Sequence, residues 1–406
     1  MRWGSANEGR KGDTTMQDFF GRELERLKRK DSYRWLRTME GATEARMRVD
    51  GREVIVLCSS NYLGLATHPR LKAAAIEATE RLGVCSAASR LIAGNNELYR
   101  TLEERLAAFK RREAALVYST GYMANLGVIS AVVGERDVIY ADALSHASIV
   151  DGCRLSRAAV KIFPHNDVGA LEQLLKSDTG FRRRLIAVDG VYSMDGDLVP
   201  LPDLVKLAKQ YDALLMLDDA HGTGVLGERG GGTAEHFGLD DPDAVDIEIG
   251  TLGKAFGSFG AYVVGSRSLR EYLVNRSRSF IFTCALTPPA LAAAIAALDL
   301  VQQDPGYRQR LWENVRHFRE GLHHLGLSTE PSVTHILPVM THDRQRTMAL
   351  SERLLKLGVF CQGIRPPTVP PGTSRLRFTV TASHTRDDLD RALEAVEKAF
   401  RESALP

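Results

Sequence analysis

Between Ala115 and Val264 short apolar runs recur with a regularity that leaves few folds open. They fall at Ala115–Tyr118, Val138–Tyr140, Val160–Phe163, Leu185–Val188, Leu214–Leu217, Val245–Ile249 and Ala261–Val264, with helical patterns or loops between them. Runs this short read as strands, and strands without polar alternation are buried on both faces. Alternation with helices predicts an α/β fold around a largely parallel sheet. In such sheets ligands bind at the carboxyl ends of the strands, so the residues that follow each run are the place to look for function.

The flanking regions extend this core. From Met16 to about Met39 charged residues interleave with Phe19, Phe20, Leu24, Leu27 and Leu36, which predicts an amphipathic helix. Val54–Cys58 reads as a strand, Pro69–Leu82 and Leu98–Phe109 as helices, and Val84–Asn96 as a loop of small and polar residues. After Pro288-Pro289 come two helical stretches, Ala290–Val301 and Arg308–Leu325. A smaller α+β unit follows, with strands near His335–Met340, Val359–Ile364 and Leu376–Thr381 and helices near Arg344–Leu357 and Arg386–Phe400. The expected partition is a polar, disordered extension over 1–15 (Met16 being a second candidate start), an N-terminal helix with short strands over 16–60, a large domain over 61–290, and a linker helix with a C-terminal α+β domain over 291–406.

Composition narrows the partners. The formal net charge is +2 over 406 residues, and a nucleic-acid binder is expected to be strongly basic. The clusters Lys28-Arg29-Lys30, Arg111-Arg112 and Arg182-Arg183-Arg184 are short and scattered and read as solvated faces, although one could meet an anionic thioester carrier. Cys58, Cys85, Cys153, Cys284 and Cys361 are odd in number and never form a CxxC pair. That opposes a disulfide framework or zinc site and fits a reducing cytoplasm. No run of about 18 apolar residues is present, so no membrane span is expected, and the N-terminus lacks the apolar region of a signal peptide.

The strand ends carry the chemistry. Asp246–Gly260 reads DIEIGTLGKAFGSFG, with Lys254 between two glycine-containing turns after a strand. Desolvation there lowers the pKa of an ammonium, giving an amine able to form an imine with a carbonyl. Ser119–Asn125 joins a strand to an apolar helix, and the free N–H groups of a helix start make an anion site. His146 follows the next strand, where it can stack on a planar ring or cap a helix. Asp189–Asp197 puts polar groups into a tight turn. Asp218 and Asp219 close a very apolar strand, with His221 three residues after the first; a buried carboxylate needs a partner, and a protonated ring nitrogen would serve. A metal is disfavoured, because no second histidine lies at ligand spacing. Each piece alone has a bland reading as a cap, loop or acidic turn. Together they supply an anion cradle, a stacking ring, a carboxylate for a pyridinium nitrogen and an imine-forming lysine, which are the needs of pyridoxal phosphate. The competing nucleotide site finds neither GxxxxGK[ST] nor GxGxxG between a strand and a helix.

The segments SSNYLGL, STGYMANLGVIS, DALSHASIVDG, DGVYSMDGDLVPL, LDDAHGTGVLGERG, GTLGKAFG, RSFIFTCALTP and IRPPTVPPGTSRLRFTVTASHT occur in that order between Met16 and the C-terminus. As a set they resemble the α-oxoamine synthases, pyridoxal-phosphate enzymes of fold type I that condense an amino acid with an acyl thioester and release CO2. The IRPPTVP and HGTGVLG segments look most like the biotin-pathway branch, which uses L-alanine and a pimeloyl thioester, on coenzyme A or an acyl carrier protein. Glycine C-acetyltransferase, 5-aminolevulinate synthase and a secondary-metabolite condensing enzyme are rivals within the family. An aminotransferase or a silent partner subunit is a rival outside it.

The resemblance implies a large domain with a mostly parallel seven-stranded sheet, a smaller α+β C-terminal domain and a homodimer with shared active sites. It also implies roles. Lys254 would hold the cofactor and move protons, Asp218 would pair with the pyridine nitrogen, His221 would bond the phenolic oxygen, and His146 would stack on the ring. Ser193 would face the imine side. Gly121, Tyr122 and Thr251 would bind phosphate, with Thr283 reaching in from a partner subunit. Asn61 and Arg377 would hold the amino-acid carboxylate, Thr368 the acyl substrate, and Arg34 would be a second substrate arginine. Period alone supports one of these: along Arg375–Thr381, Leu376, Phe378 and Val380 share one face, and Arg375, Arg377, Thr379 and Thr381 the other. The chain departs from the family at Val84–Arg90, where relatives carry more glycine. Cys85 and Ala87 add bulk near the meeting point of the two substrates and remove backbone freedom.

Overall fold

Every one of the seven apolar runs becomes a strand of one sheet. The computed structural model describes residues 16–403, and the extension expected over 1–15 lies outside them. Three short strands open the chain, β1 (Met39–Glu40), β2 (Arg46–Val49) and β3 (Arg52–Val56). The central sheet follows: β4 (Ala114–Tyr118), β5 (Val138–Asp142), β6 (Ala159–Phe163), β7 (Arg184–Asp189), β8 (Leu214–Asp218), β9 (Ile247–Thr251) and β10 (Ala261–Gly265). Their spatial order is β4-β10-β9-β8-β7-β5-β6. Neighbours from β9 to β6 are parallel, and β10 runs antiparallel to both β9 and β4.

Successive side chains point to opposite faces of a strand, and β7 shows both faces buried. Leu185 and Ala187 enter a cluster with Val128 and Ile129 of the helix Gly121–Val132. Ile186 and Val188 enter another with Leu204 and Val205 of the helix Leu201–Gln210. That double burial is why the runs lack polar alternation.

The C-terminal lobe contains β11 (Ile336–His342), β12 (Val359–Phe360), β13 (Gln362–Ile364) and β14 (Ser374–Thr379). The single strand expected over Val359–Ile364 is two. β12 pairs in parallel with β3 and completes a sheet β1-β2-β3-β12, whereas β13 joins β14 in a sheet β11-β14-β13. The N-terminal strands thus share a sheet with the C-terminal lobe. β14 has the faces its period predicts: Leu376, Phe378 and Val380 are core, while Arg375 reaches the Asp195 carboxylate and the Met194 carbonyl (3.1 Å), and Arg377 Nε donates to the Ser193 carbonyl.

Two expectations need correction. The N-terminal helix ends at Arg29, well short of Met39, because the chain beyond it is engaged elsewhere. Asp31 takes a left-handed conformation (φ 48°), and Arg365 donates to the carbonyls of Asp31 (2.9 Å) and Tyr33 (2.7 Å). The basic clusters are also not uniformly solvated. Arg112 is buried beside Glu248 (3.5 Å) and donates to the Asp240 carbonyl (2.7 Å). Arg182 forms a two-point pair with Asp137, and Arg183 and Arg184 bind the carbonyls of Val132 and Tyr211.

Buried Lys110 is the centre of an ion cluster under the sheet. Its ammonium contacts Glu248 and the Gly231 carbonyl and lies 3.4 Å from Asp219. Burial works against the charge, yet the facing carboxylates outweigh it and hold the Lys110 pKa above its ordinary value. Lys110→Ala should therefore cost about 3–5 kcal/mol, the penalty for stranding buried charge. Chemical denaturation checks this, and a loss below about 1 kcal/mol would show that the carboxylates do not depend on the cation.

Candidate active site

The ends of β7, β8 and β9 lie side by side, with Asp189 opposite Asp218 and Asp218 opposite Ile249. Asp218 is buried and accepts from Asn125 Nδ2 (2.6 Å) and the Ala220 N–H (3.0 Å). Lys254 follows β9 in a turn closed by Gly257 N–H to the Lys254 carbonyl (3.0 Å) and Ser258 N–H to the Leu252 carbonyl (2.9 Å). The turn needs glycine at 257, where φ is +60° and a Cβ would come within 2.4 Å of the Ala66 backbone nitrogen.

The Lys254 amine lies 2.8 Å from His221 Nε2. Burial of that amine lowers its pKa to about 8; attraction to Asp218 resists the shift and the nearby Arg377 charge adds to it. The Lys254 residue is only half-buried as a whole, so the enclosure belongs to the amine end. His221 is pulled well below its ordinary pKa, first by burial and then by the Lys254 and Arg377 charges. Its Nδ1 is 2.7 Å from the Tyr62 hydroxyl. His221 bonds neither aspartate: Asp219 is taken by Lys110, Thr223 (2.9 Å) and Thr233 (2.6 Å) on the other side of the strand.

His146 caps the helix Ala147–Ser156, its Nδ1 accepting from the Ser148 N–H (3.3 Å). The capping reading of this histidine is what the structure shows, and the residue remains exposed. Partial burial holds its pKa below the ordinary value. Ser148 links it to the carboxylate: Asn125 Nδ2 bonds Ser148 Oγ (2.8 Å) as well as Asp218. Asp189 accepts the His146 N–H (3.0 Å). Burial, then the Asp218 charge, pushes the Asp189 pKa well up.

Thr120 caps the helix Gly121–Val132 by accepting the Met123 N–H (3.1 Å). The Gly121 and Tyr122 amides stay free of intrahelical partners, as first-turn amides are. A Cβ at Gly121 would meet nothing within 4 Å, so the space in front of the helix start is open. Thr251 braces the lysine turn, donating to the Gly260 carbonyl (3.1 Å) and accepting from Gly253 (3.2 Å). Thr283 lines a recess with Ser119 and Arg90 on its own chain. An open anion cradle, a buried carboxylate, an exposed imidazole and an amine of lowered pKa together fit pyridoxal phosphate.

The remaining expected residues fall into two groups. Arg377 is buried, its charge acts on Lys254 and His221, and its terminal nitrogens have no hydrogen-bond partner among the described residues. The Ser193 carbonyl fixes its Nε. The Asn61 side chain is committed to the Thr43 carbonyl and the Ala66 N–H (both 3.2 Å). Arg34 and Thr368 meet each other instead (3.1 Å), on the wall of a cavity of about 410 Å³ shared with Arg37, Gln362 and Arg365. In the Val84–Arg90 loop, Ala87 adopts φ +51°, a turn that glycine makes freely and that costs another residue about 1–2 kcal/mol.

Sequence reasoning missed the parts played by Tyr62, Asn125, Asp189 and His335. Asn125 carried a signal, as a lone amide in an apolar helix needs a partner once buried. Tyr62 stood inside a matching segment but reads as ordinary core. His335, buried with its pKa lowered to about 3 by burial, opens a strand and has no distinguishing spacing.

This donor set on this sheet defines a pyridoxal-phosphate-dependent transferase of fold type I. The model of the aminotransferase class I and II family matches residues 52–396. The 8-amino-7-oxononanoate synthase of Geobacter sulfurreducens is 54% identical over 94% of this chain and 97% of its own length. That of Geotalea daltonii is 53% identical over 94% and 98%. Among solved structures, the serine palmitoyltransferase of Sphingomonas wittichii superposes with a TM-score of 0.90 at 33% identity, covering 96% of this chain and 98% of its own. The 8-amino-7-oxononanoate synthase of Francisella tularensis gives 0.74 at 29%, covering 87% and 99%. The chain belongs to the class I and II aminotransferase family and, within it, to the 8-amino-7-oxononanoate synthases.

The Lys254 pKa has a measurable sign. Its folded value lies below the unfolded one, so burial costs stability below about pH 8, and the cost is relieved as pH rises through the unfolded value. In cofactor-free protein, borohydride trapping of an aldehyde on Lys254 should reach half its maximum near pH 8. A midpoint near the ordinary lysine value of about 10.4 would contradict the desolvated amine.

Proposed function

We infer that the protein condenses L-alanine with a pimeloyl thioester to give 8-amino-7-oxononanoate, CO2 and the free thiol, a step of biotin biosynthesis. The observation that carries this reading is the near-neutral Lys254 amine beside His221 and Asp218, on a chain 54% identical to a synthase of that name.

Lys254 would hold the cofactor, Asp218 its ring nitrogen, His221 its phenolic oxygen and His146 its ring face. The Gly121 and Tyr122 amides, with Thr251, would hold its phosphate. Bound there, pyridoxal phosphate supplies the electron sink that makes the alanine Cα proton removable. The protein's own groups do the rest. The unpartnered fork of Arg377 suits bidentate grip on the alanine carboxylate, with Asn61 bracing the neighbouring backbone and Ser193 fixing Arg377. An amine with a pKa of about 8 can take the Cα proton and later return one near neutral pH. Arg34 and Thr368 line the cavity that would receive the acyl chain.

The partner would be a second copy of the chain. Phe19, Phe20, Trp35 and Leu36 are exposed in the single chain, which supports a second copy covering them; Thr283 would then be lent across that interface. All five cysteines are free thiols, which supports a cytoplasmic setting.

The test is a matrix of L-alanine, glycine and L-serine against pimeloyl, acetyl and palmitoyl thioesters, on coenzyme A and on a carrier protein, following CO2 and thiol release. Turnover should be greatest for alanine with pimeloyl; a preference for serine with palmitoyl would move the chain toward its structural neighbours. Lys254→Ala should lose the visible absorbance of the bound cofactor together with turnover. Arg377→Lys keeps the charge but not the fork. It should lower kcat/KM for alanine by about 10–100-fold, the equivalent of a charged hydrogen bond, and leave the thioester KM unchanged.

A further inference from the structure

We propose that Tyr62 is a positioning residue that fixes the tautomer of His221, donating its hydroxyl proton to Nδ1 so that the ring keeps its own proton on Nε2, the nitrogen facing Lys254. The inference rests on the proposed function only for its catalytic consequence. The tautomer itself follows from counting protons and acceptors.

Tyr62 is fully buried, and among the described residues its hydroxyl has one hydrogen-bond partner, His221 Nδ1 at 2.7 Å. The His335 ring packs edge-on against the Tyr62 ring with centroids 4.1 Å apart. Neither His335 nitrogen has a hydrogen-bond partner, so that ring does not take the phenol proton. A phenol carries one proton, and a neutral imidazole has one donor and one acceptor nitrogen. Were Nδ1 the donor, the Tyr62 proton would be left buried and unpaired, at about 1–3 kcal/mol. With Tyr62 as donor and Lys254 deprotonated, nothing is stranded: Nδ1 accepts, and Nε2–H points at Lys254 Nζ, 2.8 Å away. Burial, with the Arg377 charge behind it, holds the His221 pKa well below its ordinary value, so a doubly protonated ring does not intervene.

Two effects follow. An Nε2–H can donate to a neutral Lys254 amine but opposes an ammonium there, so Tyr62 helps to keep Lys254 deprotonated. The same N–H is the donor that the cofactor's phenolic oxygen would need.

The test uses the full-length chain labelled with 15N-histidine, before and after cofactor addition, with His221→Gln to assign the ring. In long-range 1H–15N spectra of the wild type, Nδ1 of His221 should be the bare nitrogen and Nε2 the protonated one. Tyr62→Phe, which keeps the ring packing, should lose that fixed pattern. Its Lys254 midpoint, read by aldehyde trapping, should rise by about one pH unit, and kcat should fall about tenfold with little change in the alanine KM, the scale of one neutral hydrogen bond. A protonated Nδ1 in the wild type overturns the proposal, even if Tyr62→Phe fails to fold. An unchanged tautomer in a folded Tyr62→Phe removes Tyr62 from the role. Failure of the alanine–pimeloyl assay with the expected spectrum would sink the proposed reaction and leave the tautomer standing.

Discussion

The site depends on two groups at neighbouring strand ends: a buried carboxylate at Asp218 and an amine at Lys254 whose pKa burial lowers to about 8. Left to each other, these groups would form an ion pair and the amine would stay charged. The surroundings tip the balance. Burial withdraws water from the amine, and the Arg377 guanidinium repels an ammonium. Asn125 and the Ala220 amide meanwhile satisfy the carboxylate with neutral donors. Asp189, level with Asp218 across β7 and β8, would upset this if ionised, because a second anion would pull the lysine proton back. Its depth and the Asp218 charge push its pKa well up and oppose that second anion.

That arrangement needs the fold as much as the residues. Parallel strands ending level bring side chains from distant sequence positions within a few ångströms, and β8 and β9 do so for Asp218 and the lysine turn. The C-terminal lobe closes the other side. Arg375 and Arg377 leave the same face of β14 and grip the Asp195 and Ser193 positions of the turn after β7. The Arg377 charge near the amine is thus set by the docking of one lobe on the other. Tolerance for error is small, since Gly257 has no room for a Cβ.

Much of this was legible in the sequence because it rests on local patterns. Apolar runs with little polar alternation read as strands covered on both faces, and six of the seven are; the edge strand β6 leaves Val160 and Ile162 exposed. The period-2 pattern of Arg375–Thr381 put the two arginines opposite the core residues, and they are there. Position in the chain was a poorer guide where tertiary contacts override local preference. The amphipathic stretch from Met16 stops at Arg29 because Arg365, more than 300 residues away, claims the carbonyls that would have carried the helix on. Val359–Ile364 splits because two different strands, β3 and β14, compete for its halves. His335 and Tyr62 were invisible as site residues because burial beside the site, and no spacing or composition, gives them their role.

The pair Asp218-Asp219 shows where reading from sequence stops. Adjacent residues at the end of a strand face opposite sides, so two identical side chains meet two different environments. Asp218 turns to the cleft, with Asn125 and a backbone amide as neutral donors to its carboxylate. Asp219 turns under the sheet to Lys110, Thr223 and Thr233, where burial raises its pKa to about 6 despite the lysine. The two fates are linked, because Thr233 and Thr223, bonded to Asp219, anchor the loop that carries His221. One aspartate sets the charge of the site, and its neighbour holds the backbone that points the histidine at the lysine.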